Sequence, residues 1–341
     1  DLAVAPPDAQ TLIGFLKGLE FRTLTNRVAE ALGAEAGEIA AATPAVAGGP
    51  SAEAAADGFE ITAGRAPEAP FDRERYEIVR DADALSAWVA EATDRGLVAL
   101  DTETTGLDEM ACDLVGVSLA LEPGRACYIP LDHREGDGDL LGAASRAPGQ
   151  METERALAIL KPMLEDPAVL KVGQNLKFDL TVLARYGLRV APVDDTMLLS
   201  YAQGAGLHAH NMDSLAGRLL DHGCIPIKEL IGTGKAQISF DRVPVDKAAI
   251  YAAEDADVTL RLHRVLKPGL VKHRVATVYE TLERPLVPVL SEMEAAGVKV
   301  DRDALSRLSS DFAQRMAGLE AEIHDLAGER FNVGSPKQLG E

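Results

Sequence analysis

The spacing of apolar residues changes character several times along this chain. LVALDTE, residues 97–103, is an apolar run following Gly96 and reads as a buried central strand rather than a short helix. DLVGVSLAL and ACYIPL follow closely, the spacing of a meander, while YEIV before them predicts a further strand. Asp81 or Asp83 is placed to cap a helix through Leu85, Trp88 and Val89. Helical TERALAILKPML, strand-like VLKVG and helical LTVLARYGL complete a mixed α/β pattern over residues 73–268. After about residue 268 the pattern is almost wholly helical, and residues 1–32 end in an amphipathic helical stretch, FLKGLEFRTLTNRVAEALG. Residues 33–72, rich in Ala, Gly, Pro and Glu, have the composition of a flexible tether.

The polar residues inside these elements carry the candidate chemistry. Side chains two apart on a strand share a face, so Asp101 and Glu103 point the same way. Around residue 255 the alanine-rich pattern is helical, which makes Tyr251 and Asp255, at i and i+4, neighbours on one face. Asp179 opens the stretch before LTVLARYGL, in a first helical turn whose dipole suits an anion. Carboxylates gathered without a cation raise one another's pKa, and a divalent cation removes that conflict. Hard oxygen donors select magnesium or manganese, and two such ions about 3.5–4 Å apart can activate water and stabilise the leaving oxygen of a phosphoryl displacement. A lone D-x-E has a plainer reading as a solvated strand face.

The surrounding residues sharpen the picture. LDTETTGLD, NLKFD and YAAEDADVTLRLH, in that order, resemble the DEDD superfamily of 3'-5' exonucleases, in the subgroup with a tyrosine in its third motif. DTMLLSY, NMDSLAGRLL and the GTGKAQISF stretch are similar to connecting segments of the proofreading region of the family A bacterial DNA polymerases. The resemblance implies a ribonuclease-H-like α/β fold, a mixed sheet flanked by helices, followed by a mostly helical segment. It implies that Asp101, Glu103 and Asp255 hold a first Mg2+ (or Mn2+) and that Asp101 and Asp179 serve a second. Tyr251 would orient the attacking water; its plainer reading is a helix-packing aromatic with a wet hydroxyl. Thr104 and Asn175 could meet the terminal nucleotide or support the site. Leu107 and Phe178 could stack on unpaired bases or be ordinary core. The expected partner is a single-stranded or frayed DNA 3' end.

The same resemblance divides the chain. Residues 1–32 look like the tail of a 5'-nuclease domain, 33–72 like a linker, 73–268 like the exonuclease domain, and 269–341 like the truncated start of a polymerase thumb region. The polymerase palm and fingers have no counterpart, so polymerisation is not expected, and the chain reads as a monomeric piece of a longer protein in which 5'-nuclease and polymerase domains are covalently linked.

Charge and cysteines bound the rest. Acidic residues number 54 against 34 basic, a net charge of −20, which is unexpected for a nucleic-acid binder and points to modest affinity through metal-bridged phosphate and local contacts. Cys112, Cys127 and Cys224 lack metal spacing and read as buried, reduced thiols of a cytoplasmic protein. No apolar run is long enough for a membrane span. GTGK at 232–235 departs from a phosphate loop at Glu229 and Ala236, and reads as a turn. His208 and His210 read as loop histidines, His263 and His273 as complements of a helix C-terminus, and Asp257 as a solvent-facing acid. Three functions fit: a DNA 3'-5' exonuclease, a ribonuclease of the same superfamily, and a catalytically silent spacer.

Overall fold

The computed structural model describes residues 8–18, 21–35, 37, 39–41, 69–136 and 144–340; the greater part of the expected tether, 42–68, lies outside them. A six-stranded sheet organises the α/β part. Its strands are β1 (Glu77–Ile78), β2 (Leu97–Thr104), β3 (Leu114–Glu122), β4 (Arg125–Pro130), β7 (Leu170–Gly173) and β8 (Val193–Asp195), in the order β1-β4-β3-β2-β7-β8; β5 (Arg134–Glu135) and β6 (Ser145–Arg146) pair separately. The expected meander is present, with β2–β3 and β3–β4 antiparallel; β2–β7, β7–β8 and β1–β4 are parallel, as a mixed sheet requires.

The N-terminal helices are α1 (Ala9–Gly18) and α2 (Arg22–Leu32). One sheet face packs on α3 (Ala82–Arg95), α4 (Thr153–Glu165) and α5 (Lys177–Arg185), and buries Val98, Leu100, Val117 and Leu119 against Leu85, Trp88, Leu160 and Val182. Asp81 caps α3, its Oδ1 accepting the N–H groups of Asp83 and Ala84, and the left-handed Gly96 ends that helix just before β2 begins. After β8 the chain forms α6 (Thr196–Gly204), α7 (Met212–Leu219) and the short α8 (Ile227–Ile231).

The other face carries the long α9 (Val245–Lys272). Its contact is built from small side chains: Ala253 and Ala256 lie against Ala99, Ala120 and Ala126. Methyl groups on both sides let helix and sheet approach closely, which brings the acids of α9 onto the acids of β2. Beyond α9, a π-helical turn at Tyr279–Glu283 leads into α10 (Arg284–Ala296), which returns to pack on α5 through the buried Val287 and Ser291. The following α11 (Arg302–Ala327) has no buried residue. Among the described residues, no helix is long and apolar enough to cross a membrane.

Candidate active site

Strand β2 presents its residues to two faces. Val98 and Leu100 join the core under α3 and α5, while Ala99 faces α9; alternation then directs Asp101 and Glu103 to the α9 side and Thr102 to the opposite one. Asp255, midway along α9, meets the first pair, and ligand-capable oxygens of Asp101, Glu103 and Asp255 all lie within 4.8 Å of one another. Asp179 is not in this trio. It sits in the first turn of α5, and its Oδ1 accepts the Thr102 backbone N–H at 2.9 Å and the Thr102 hydroxyl at 2.5 Å. The four acids therefore converge on the end of β2 from two sides, three in mutual reach and the fourth moored to the residue between them.

The floor beneath Glu103 depends on a glycine. Glu103 pairs across the sheet with Gly116, and a Cβ there would sit 2.1 Å from the Tyr128 hydroxyl. Only the missing side chain lets Tyr128 fill this position. Its hydroxyl donates to His133 Nε2 at 2.8 Å, because His133 Nδ1 is engaged with the Val243 carbonyl, so the phenol turns its proton away from the acids. A register shift follows directly at Glu103–Thr104, and the ladder resumes with Thr104 opposite Leu114.

Electrostatics set this cluster apart. Burial, and then the neighbouring Asp255, push Asp101 well above the carboxylate range; burial followed by Asp101, Asp255 and Asp179 does the same to Glu103. Asp179 is also raised, by burial and Asp101, with the Thr102 hydrogen bonds pulling back. Asp255 is pushed up to about 8, chiefly by burial. Glu103 Oε1 is buried without a hydrogen-bond partner. A fully enclosed carboxylate oxygen with no donor, flanked by two more carboxylates, is the donor set a hard divalent cation satisfies. The residues present fit such an ion.

Tyr251 stands one turn before Asp255 on α9, and its hydroxyl interacts with that carboxylate. Burial, then Asp255, Glu103 and Asp101, drive its phenol strongly upward, so it stays protonated and available to donate. Thr104 donates to the Gly106 carbonyl at 2.8 Å. Leu107 is 93% exposed and so is not the core residue that its plainer reading allowed. Asn175 is exposed with a left-handed φ of 57°, while Phe178 is half-buried against the main core.

Some expectations need correction. Asp257 does not meet solvent: it is fully buried and accepts from Arg261, the Tyr76 hydroxyl and the Gly124 N–H. His263 does not complement a helix end; it is buried well inside α9 with Nε2 2.9 Å from Asp194. Nor was the packing of Phe71 foreseen, which stacks on His222 and lies under the Arg261 guanidinium. Thr102 and Gly116 were missed as site residues, although alternation on β2 already sets Thr102 on the face opposite the acids. The three cysteines are free, as expected; Cys112 and Cys127 are buried, whereas Cys224, expected to be buried as well, is half-buried.

Comparison with known proteins follows the same lines. A family model described as 3'-5' exonuclease matches residues 76–270. DNA polymerase I of Rhizobium leguminosarum is 46% identical over an alignment covering all of this chain and 38% of that protein. DNA polymerase I of Pseudomonas aeruginosa is 42% identical over 80% of this chain and 30% of its own length. The chain thus spans about a third of the curated relatives it matches. The solved POL domain of Pol1 from M. smegmatis, in complex with DNA primer-template and dNTP, superposes with a TM-score of 0.60 at 23% identity, covering 77% of this chain and 39% of that one, a likeness of fold.

Proposed function

Since the chain belongs to the 3'-5' exonuclease family, we propose that it hydrolyses the 3'-terminal phosphodiester of DNA, releasing nucleoside monophosphates, as the proofreading nuclease of a longer DNA polymerase I. The observation that carries this reading is the trio Asp101, Glu103 and Asp255 within 4.8 Å, with a Glu103 oxygen buried and unpartnered. A structural role alone would leave three carboxylates repelling one another for nothing.

Two divalent cations, Mg2+ or Mn2+, bound to Asp101, Glu103, Asp255 and Asp179 would supply a water nucleophile at neutral pH and charge stabilisation at the leaving 3'-oxygen. The chain's own residues do the rest. Asp101 and Glu103 lie on a central strand and are paired with Ser118 and Gly116 of β3, so their oxygens are held rather than recruited. Asp179, anchored by two Thr102 hydrogen bonds, would serve the cation that stabilises the leaving 3'-oxygen. Tyr251, protonated and beside Asp255, is placed to orient the attacking water. Leu107, exposed four residues beyond Glu103, would offer an apolar surface to an unpaired base, and Thr104, Asn175 and Phe178, each next in sequence or nearly so to a site acid or its turn, would contact the terminal nucleotide. DNA as substrate, in preference to RNA, is supported by the relatives' common identity as DNA polymerase I.

The test is release of mononucleotides from a 3'-labelled single-stranded DNA with Mg2+, with EDTA and with Asp179→Ala, run beside a matched RNA. Metal-dependent release, abolished by the substitution and faster on DNA, is expected. Preference for RNA would overturn the substrate assignment, and no release from a folded protein would leave the spacer role.

A further inference from the structure

Asp195 occupies the last position of β8 and is 2% exposed, so it touches neither solvent nor a substrate at the acid cluster. Its carboxylate is engaged entirely with backbone donors. Oδ1 accepts the N–H groups of Asn175 at 3.1 Å and Met197 at 2.8 Å, and Oδ2 accepts that of Leu176 at 2.9 Å. The Met197 bond caps its own helix, α6. The other two reach back to the turn that starts α5, the helix whose first turn carries Asp179.

That turn has no side-chain cap of its own: Leu176, at the N-cap position, makes none, and Asn175 holds a left-handed backbone that non-glycine residues seldom adopt. Something outside must hold it, and Asp195 supplies two charge-assisted bonds to consecutive N–H groups there. Asp195 is itself fixed from the far side. The buried Tyr279 hydroxyl accepts the Asp195 N–H at 3.1 Å and donates to Asp194 Oδ1 at 3.0 Å, and Asp194 is gripped by His263, Lys267 and Arg284. Tyr279 and Arg284 lie beyond residues 76–270, the extent of the exonuclease family match. A second tie joins the same segments, as Ser291 of α10 hydrogen-bonds Thr181 of α5 at 2.7 Å.

We infer that Asp195 is a positioning residue for Asp179, held in place by Tyr279 of the segment that follows the exonuclease match. The inference rests on the nuclease reading above for its catalytic consequence, and on geometry alone for its effect on the Asp179 position. Carboxylates oriented by such outer hydrogen bonds lose about 10–100-fold in metal affinity or activity when the orienting group is removed.

The full chain carrying Asp195→Asn, Asp179→Asn or both is examined by Mn2+ titration, following free Mn2+ by electron paramagnetic resonance, and by single-turnover cleavage of 3'-labelled DNA. The Asn amide keeps one acceptor oxygen but must turn its NH2 toward a backbone donor, so at least one bond is lost and, with the oxygen kept on Asn175 and Met197, the Leu176 N–H at the start of α5 is released. The weaker Mn2+ event should weaken about 10-fold or more, and kcat fall about 10–100-fold with KM for DNA unchanged. Because Asp195 acts only through Asp179, both losses should vanish in the Asp179→Asn background. Tyr279→Phe, which keeps every carboxylate, should give a smaller loss of the same kind, and it decides the matter if Asp195→Asn does not fold. Additive losses, or a lowered melting temperature with Mn2+ binding and kcat intact, would overturn the inference. A wild type that binds Mn2+ but cuts no DNA would sink the nuclease reading, and the Mn2+ cycle would then decide the positioning role by itself.

Discussion

Replacing Glu103 with Gln should stabilise the metal-free protein while abolishing its nuclease activity. Oxygens of Asp101, Glu103 and Asp255 lie within 4.8 Å of one another, and at an effective dielectric near 20 a pair of full charges that far apart repels by about 3.5 kcal/mol. Glu103 faces two such neighbours. Full repulsion is never reached, because burial and proximity raise these groups until some stay protonated; Asp255 stands at about 8. Partial ionisation leaves a net relief of about 1–3 kcal/mol on neutralising Glu103, or about 3–10 °C in melting temperature for a domain of this size. The Gln amide can also donate to Asp101 or Asp255, so no new unpaired donor is created. The sign follows from linkage. Glu103 is raised on folding, so the folded state binds the proton more tightly; its favourable contribution is complete below the unfolded value near pH 4.3 and is lost as pH climbs toward the folded value. Differential scanning fluorimetry in EDTA should therefore find the variant's advantage smallest near about pH 5 and widest near about pH 8. Saturating Mn2+, at about a hundred times its dissociation constant, should add about 2.7 kcal/mol to the wild type and less to the variant. A variant no more stable than wild type in EDTA at the higher pH, or an advantage that ignores pH, would refute the account of the site as a cluster of mutually raised acids.

Three further outcomes are expected. Tyr251→Phe should keep KM and lower kcat about 10–100-fold, as loss of a water-orienting hydroxyl does, measured in single turnover; an unchanged kcat would return Tyr251 to helix packing. Asp257→Ala should cost about 3–5 kcal/mol in urea unfolding, because it strands the Arg261 guanidinium in a buried position, yet leave Mn2+ binding to the folded protein intact. Leu107→Ala should weaken binding of single-stranded DNA by about 1–3 kcal/mol with kcat retained, read from KM, if the exposed leucine stacks on a base.

The sheet and its two acids were legible because both follow from local periodicity. An apolar run flanked by Gly96 is a central strand wherever it occurs, and alternation then sets Asp101 and Glu103 on one face and Thr102 on the other. The Tyr251–Asp255 pair was legible for the same reason at the helical period. Asp257 was misread because the covering of its helix face is non-local: the Tyr76 hydroxyl that meets it is 181 residues away, and Gly124 is 133 away. Nothing in YAAEDADVTL announces those partners. Asp195 caps its own helix through Met197, a local contact, while its hold on Asn175 and Leu176 depends on β7 and β8 lying side by side.

That difference explains why counting acids does not locate the site. Asp194 and Asp255 are the same residue type, both buried, one in the middle of strand β8 and one inside a helix. Burial raises each, but at Asp194 the hydrogen bonds and charges of His263 and Lys267 outweigh it and bring the carboxyl down to about 2. At Asp255 the Tyr251 hydroxyl pulls downward against burial and acidic neighbours, and loses; the carboxyl stands at about 8. Asp257 likewise has Arg261, Tyr76 and Gly124, and Glu254 has Arg73 and His222. Among the described residues, the charges that act on Asp101 and Glu103 are those of other acids. Among buried carboxylates, those provided with protein cations are structural. Those left facing one another must stay partly protonated or take a cation from outside, and it is this deficit, rather than acidity itself, that singles out the end of β2 and supports the metal-site proposal.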